Sequence, residues 1–168
     1  LLLLLFAVGV ELGFTKHLGR QLRSMPRAVL LLPFVIALAS VLSAVIVNLF
    51  IGLHPIEAAA VASGFGWYSL SGLLIAQSYD TALGTLAFLA NVMRELIAIV
   101  IIPFVARRFG YLSAVAPGGA TAMDVTLPVI SRNTDAQTTI AAFYSGTVLT
   151  LLVPVLVPLL IKWAQFFQ

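Results

Sequence analysis

Cysteine is absent from this 168-residue chain and charge is scarce, with Lys, Arg, Asp and Glu together making up only 9% of it. Without cysteine there can be no disulfide and no thiolate metal site, and two isolated histidines, His17 and His54, do not supply a zinc pair. Neither a metal nor a cofactor is expected. The chain also lacks a glycine-rich phosphate loop and any nucleophile–histidine–acid set with credible spacing, so an enzyme is not expected either. The low charge excludes a soluble domain, which carries about 25% charged residues. With 61% hydrophobic residues and a mean hydropathy of +1.11, the chain could not solubilise its own surface. The net charge of +3 carries no nucleic-acid signal, because the basic residues cluster in short turns between apolar runs.

What is present is a series of apolar runs. The sequence opens on Leu1 in mid-run, without an initiator Met, and residues 1–14 are too few for a span, which needs about 20. No basic region precedes this run and no small-residue cleavage site follows it, so a signal peptide is not indicated. The run reads as the end of a helix whose beginning is missing, and the chain as part of a larger functional unit. The connection from Thr15 to Arg27 holds Lys16, Arg20, Arg23 and Arg27 and no acid. The positive-inside rule makes it a cytoplasmic loop, serving as a topological anchor or as a regulatory lipid site.

Residues 28–51 form a full span running outward, followed by the tight turn Gly52-Leu-His-Pro55. Pro55 to Ser63 reads as a helix of small residues about 13 Å long, roughly half a bilayer. It leads into Gly64-Phe-Gly-Trp-Tyr-Ser-Leu-Ser-Gly72, with three glycines and two serines in nine positions. Backbone broken in this way is tolerated only inside protein or along a cavity. Residues 82–106 form the next span, ending at Arg107-Arg108. If that pair is cytoplasmic, residues 55–79 must enter and leave from the outer side as a hairpin; the alternative is a single crossing that leaves both arginines outside. Residues 111–131, around Pro117-Gly-Gly-Ala-Thr-Ala-Met-Asp124, are too short and broken to cross and read as an inner hairpin. Residues 137–162 form the last span, with Pro154 and Pro158 near its end. The expected fold is therefore an all-α polytopic membrane protein, a single transport domain in which two broken, re-entrant hairpins enter the helix bundle from opposite faces.

The candidate chemistry centres on Asn91, Arg94 and Glu95, ionisable and polar residues in the middle of an apolar span. Such residues face a bundle interior or a wet cavity. Asn91 and Glu95 share a helical face, whereas Arg94 and Glu95 diverge by about 100° and do not form a simple self-contained pair. Glu95 either joins a structural ion network or binds a cation or coupling proton. Glu57 lies in the first turn after Pro55, where the helix dipole alone would favour it, so its role stays open between capping and binding. Trp67 and Tyr68 suit either an interfacial belt or a cation–π wall. Ser69, Ser71, Thr121, Asp124 and Thr126 supply oxygens around the two breaks, and Gly118 and Gly119 permit close backbone approach. The two breaks are expected to meet near the midplane with Glu95 in reach of both, because one shared wet cavity satisfies every freed polar group together.

The blocks Gly64 to Gly72, Asn91 to Glu95 followed by Pro103 and Ala-Arg-Arg, and Pro117 to Asp124 with Leu-Pro-Val-Ile130 resemble the signatures of the bacterial lysine exporter LysO family. The resemblance runs from about Glu57 to Lys162. Members are typically nearly twice as long, so the chain would match a C-terminal portion or one chain of a split form. The resemblance implies export of L-lysine and toxic analogues such as thialysine through a bacterial or archaeal inner membrane, driven by proton antiport, with Glu95 as the intramembrane glutamate. Implied partners are L-lysine, protons, membrane lipid, and either a homodimer mate or an upstream partner chain. Two other readings stay open: a non-transporting subunit of a split transporter, and a passive channel for small cationic solutes.

Overall fold

In a computed structural model of the chain, residues 26–167 are described; the expected N-terminal run 1–14 and most of the basic loop after it lie outside them. Among the described residues every regular element is helical. Helix α1 spans Arg27–Ile51 and closes on Gly52, a left-handed residue at φ +83° whose N–H bonds the Asn48 carbonyl. The Asn48 amide then folds over the turn, donating to the Leu53 carbonyl at 2.6 Å and accepting the Leu53 N–H at 3.0 Å. That turn feeds α2, Pro55–Ala62, with proline in its first turn and a capping box between His54 and Glu57. A break at 63–67 leads to α3, Tyr68–Ser78.

Asp80 begins α4, Thr81–Phe109, by accepting the Leu83 N–H at 2.7 Å. Arg107 and Arg108 occupy the last turn of α4, where cations suit the helix dipole. Next come a 3₁₀ turn at Leu112–Ala114, the four-residue α5 at Val115–Gly118, a 3₁₀ stretch at Gly119–Met123, and α6 at Leu127–Asn133. Asp135 caps the final helix, α7 at Ala136–Phe166, by accepting the Thr138 N–H at 2.7 Å. That bond holds the Asp135 carboxyl below the usual carboxylate range, so α7 keeps its charged cap at neutral pH.

Three of these helices, at Val29–Ile51, Thr81–Phe109 and Ala136–Phe166, are long and apolar enough to cross a bilayer. Their directions follow from what meets at each end. At one end, the Tyr79 hydroxyl donates to Glu57 at 2.5 Å and Gln165 Nε2 donates to the Ser78 carbonyl at 2.7 Å. At the other end, Pro26, Val29, Leu112 and Gln137 line one cavity. Helices α1 and α7 therefore run parallel and α4 antiparallel to both.

Helix α7 is the axis, with half of its most apolar window buried, against 17% for α4. Glycine and alanine set how closely the elements approach. Gly84 lies against Ala76 and the Gly72 carbonyl, so α3 and α4 touch almost backbone to backbone. Gly146 of α7 lies against the Met123 amide and the Ala120 carbonyl, leaving no space for a side chain.

Several boundaries differ from the sequence reading. The first break is shorter than Gly64 to Gly72, because Tyr68 to Gly72 are already helical, with the Ser71 hydroxyl donating back to the Trp67 carbonyl. Helix α7 runs past 162 to Phe166, and Pro154 and Pro158 lie inside it. A proline ring need not end a helix once neighbouring helices re-satisfy the freed carbonyl. The second break consists of two 3₁₀ turns flanking a single α-turn.

The contact at Gly146 generates a test. Gly146→Ala should drive α7 away from the second break and lower stability by about 1–3 kcal/mol, as overpacking does. Thermal unfolding in detergent reads this directly, and an unchanged midpoint would show that the two elements are not packed as described.

Candidate functional site

The two breaks meet over the middle of α4. The Phe65 carbonyl, in the first break, accepts the Ala120 N–H, in the second, at 2.8 Å. Phe65 can present that carbonyl because it sits at φ +49°, in the left-handed region that bulky residues rarely enter, with its ring fully buried. On the facing side Gly119, at φ +59°, lies so close that a Cβ there would overlap the Phe65 oxygen and come within 2.9 Å of Arg94 Nη2. Glycine is required at 119 both for its backbone angle and for this approach.

Helix α4 attaches to both breaks through side chains one turn apart. Asn91, 3% exposed, accepts the Gly66 N–H at 2.7 Å and donates to the carbonyls of Val61 at 3.0 Å and Ala87 at 2.8 Å. Arg94 reaches the second break, with Nε 3.4 Å from the Pro117 carbonyl and Nη2 3.3 Å from that of Ala116, while Nη1 donates to Ser40 Oγ of α1 at 3.1 Å. These acceptors are neutral, and no carboxylate pairs with Arg94 among the described residues.

Glu95 points elsewhere. It lines a cavity of about 210 Å³ enclosed by both breaks and by α7, and its Oε2 is buried without a hydrogen-bond partner. Trp67, Tyr68 and Ser69 form one wall, Thr121 and Asp124 another. Asp124 is near enough that a charge on one carboxylate opposes a charge on the other. Tyr68 is braced from behind by Phe88, edge to face at 5.3 Å.

Of the residues singled out from sequence, this cavity gathers Glu95, Asp124, Thr121, Trp67, Tyr68 and Ser69. The others lie around it. Gly118 and Gly119 are buried in the second break, and Thr126 is buried behind it with its hydroxyl 3.5 Å from that of Thr121. Ser71 is buried and donates to the Trp67 carbonyl at 2.9 Å. Asn91 sits beneath the first break. Arg94 faces a separate groove of about 530 Å³ with Ser40, Ser43, Ala116 and Pro117. Glu57 is at the end of the bundle, where its carboxylate accepts the His54 N–H and the Tyr79 hydroxyl.

Sequence reading missed the contribution of α7. Thr150 lines the cavity beside Met123, whose thioether accepts the Thr150 hydroxyl at 3.5 Å. A signal was available: Thr147 and Thr150 stand beside Gly146 in an otherwise apolar helix, a small polar patch on one face.

Apolar helices long enough to span a bilayer, packed around two broken segments with a half-buried glutamate beside them, define a multi-pass membrane protein. A family model described as Lysine exporter LysO matches residues 1–161. The chain belongs to that family. It is 42% identical over 160 residues to the lysine exporter LysO of Escherichia coli K12, a match covering 94% of this chain and 52% of that protein. It is 31% identical over 158 residues to a Haemophilus influenzae protein whose name also carries "lysine exporter", covering 93% of this chain and 79% of the relative. The chain thus spans about half the length of the E. coli relative. No solved structure gives a significant match.

The bond between the breaks can be tested at Gly119. Gly119→Ala should separate Phe65 from Ala120 and speed amide exchange at Ala120 by about an order of magnitude, since a local bond is lost rather than the fold. Hydrogen-exchange mass spectrometry of the 117–124 peptide measures it; unchanged exchange would mean the breaks are not joined there.

Proposed function

We propose that the chain forms the transport site of an inner-membrane exporter of L-lysine and related cationic amino acids, thialysine among them, driven by proton antiport. The observation that carries this reading is Glu95 Oε2, a buried oxygen with no protein partner in a cavity that also holds Asp124. Two carboxylates lining one small cavity repel unless a cation or a proton lies between them. A lysine ammonium group and a proton are alternative occupants of that place, which is the requirement of antiport. Trp67 and Tyr68 offer aromatic faces to an ammonium group, and the hydroxyls of Ser69, Thr121 and Thr150 supply neutral acceptors.

The same reading assigns the membrane topology. Residues 55–79 enter from the outer face and residues 111–131 from the cytoplasmic face, with the cavity near the bilayer midplane and residues 1–168 acting as one transport domain. The paired ends at Glu57 and Tyr79 support the outer re-entry, and Arg107 and Arg108 at the end of α4 support its cytoplasmic side. Inverted hairpins meeting at a midplane site are a recurrent transporter plan.

A second reading, a subunit that transports only with another polypeptide, is favoured by the scant burial of α4, a charged helix with most of its surface uncovered.

Glu95→Gln should abolish lysine export while protein levels stay intact, and wild-type rates from this variant would sink the proposal. In liposomes, an acidic exterior should accelerate lysine efflux. Insensitivity to the pH gradient would indicate a passive channel instead, and flux appearing only with a second polypeptide would indicate the subunit.

A further inference from the structure

Asn91 has no place on the wall of the Glu95 cavity, yet it lies one helical turn from Glu95 and its amide is fully committed. Its oxygen accepts the N–H of Gly66, which lies within the break and lines the cavity. Its nitrogen donates to Val61, on the helix before the break, and to Ala87 in its own helix. One side chain therefore bonds the first break and the helix that leads into it, and ties both to α4. Only a carboxamide presents two donors and an acceptor in one plane. The fit is also close, because a Cβ on Gly64 would stand 2.5 Å from Asn91 Nδ2 and 2.6 Å from Ser71 Oγ.

We infer that Asn91 is a positioning residue of the transport site and not a substrate ligand: it fixes the first break on α4 so that Gly66, Trp67 and Tyr68 form the wall facing Glu95. The inference rests on the proposal that this cavity is the transport site. Without Asn91, the Gly66 N–H and the Val61 carbonyl lose buried partners, and such groups are costly to leave unmade. The wall would then set correctly in only a fraction of the molecules, with no exchange between the two forms during turnover. Substrate contacts would be intact in the assembled fraction, so turnover would fall while apparent affinity held.

The test is lysine efflux kinetics of the intact protein, with Vmax normalised to folded protein measured by fluorescence size-exclusion chromatography. Asn91→Asp keeps an acceptor for Gly66 but cannot donate to Val61. Vmax should fall about tenfold with KM for L-lysine changed by less than about twofold, the signature of lost organisation rather than lost binding. A ligand role predicts the reverse, since an added carboxylate would lower KM for a cation. Gly64→Ala, which displaces the Asn91 amide without altering it, should reproduce the Vmax loss and carries the test alone if Asn91→Asp does not accumulate. A KM change at constant Vmax, or wild-type kinetics in both variants, overturns the assignment. An inactive Glu95→Gln beside unaffected Asn91→Asp and Gly64→Ala overturns the positioning role alone, whereas a fully active Glu95→Gln removes the transport-site reading itself.

Discussion

A helix that stops short of crossing a bilayer strands amides and carbonyls where no water can reach them, and each such group left unpaired is worth several kcal/mol. The described residues contain two interrupted helical segments among apolar helices, and most of their other features can be traced to satisfying the groups these breaks free. Phe65 and Ala120 pair the breaks with each other, while Asn91 and Arg94 supply further donors and an acceptor from the neighbouring helix. Glycine at 119 and 146 lets backbone reach backbone. Beside these paired groups lies a small cavity lined by Glu95, Asp124, three hydroxyl side chains and the rings of Trp67 and Tyr68.

The separation of Arg94 from Glu95 has an electrostatic meaning. Adjacent residues of opposite charge would neutralise each other if they shared a face, and the site would lose its net charge. Helical geometry turns them to different sides of the second break. The guanidinium is spent on carbonyls and a hydroxyl, which leaves the carboxylate uncompensated in its own chamber.

Much of this was legible in the sequence because membrane constraints are written in composition. The spans appear as apolar runs, the breaks as glycine clusters, and the charged centre as three polar residues where hydrocarbon would forbid them. Helical periodicity was enough to separate Arg94 from Glu95. It was not enough to say what each would meet, since that depends on which elements pack against α4. Thus Ser71, chosen for its oxygen, bonds the local Trp67 carbonyl, and Glu57, left open between capping and binding, caps α2 and accepts from Tyr79. Thr150 was overlooked because it lies in the last span, far in sequence from either break. The extent of the first break was overestimated because glycine at 72 signals a break and a close helix contact equally well, and here it serves the contact with Gly84.

Phe65 gives the junction a property that glycine would not. A side chain held at positive φ is strained by about 1–3 kcal/mol, and surrounding structure must hold it there. Relaxation to an ordinary backbone angle would swing its carbonyl off Ala120, so the strain at Phe65 and the bond that joins the breaks can only be kept or lost together. Two rigid halves coupled through such a residue behave less like a welded joint than like a sprung catch, one that closes only while the ring of Phe65 stays seated in the core.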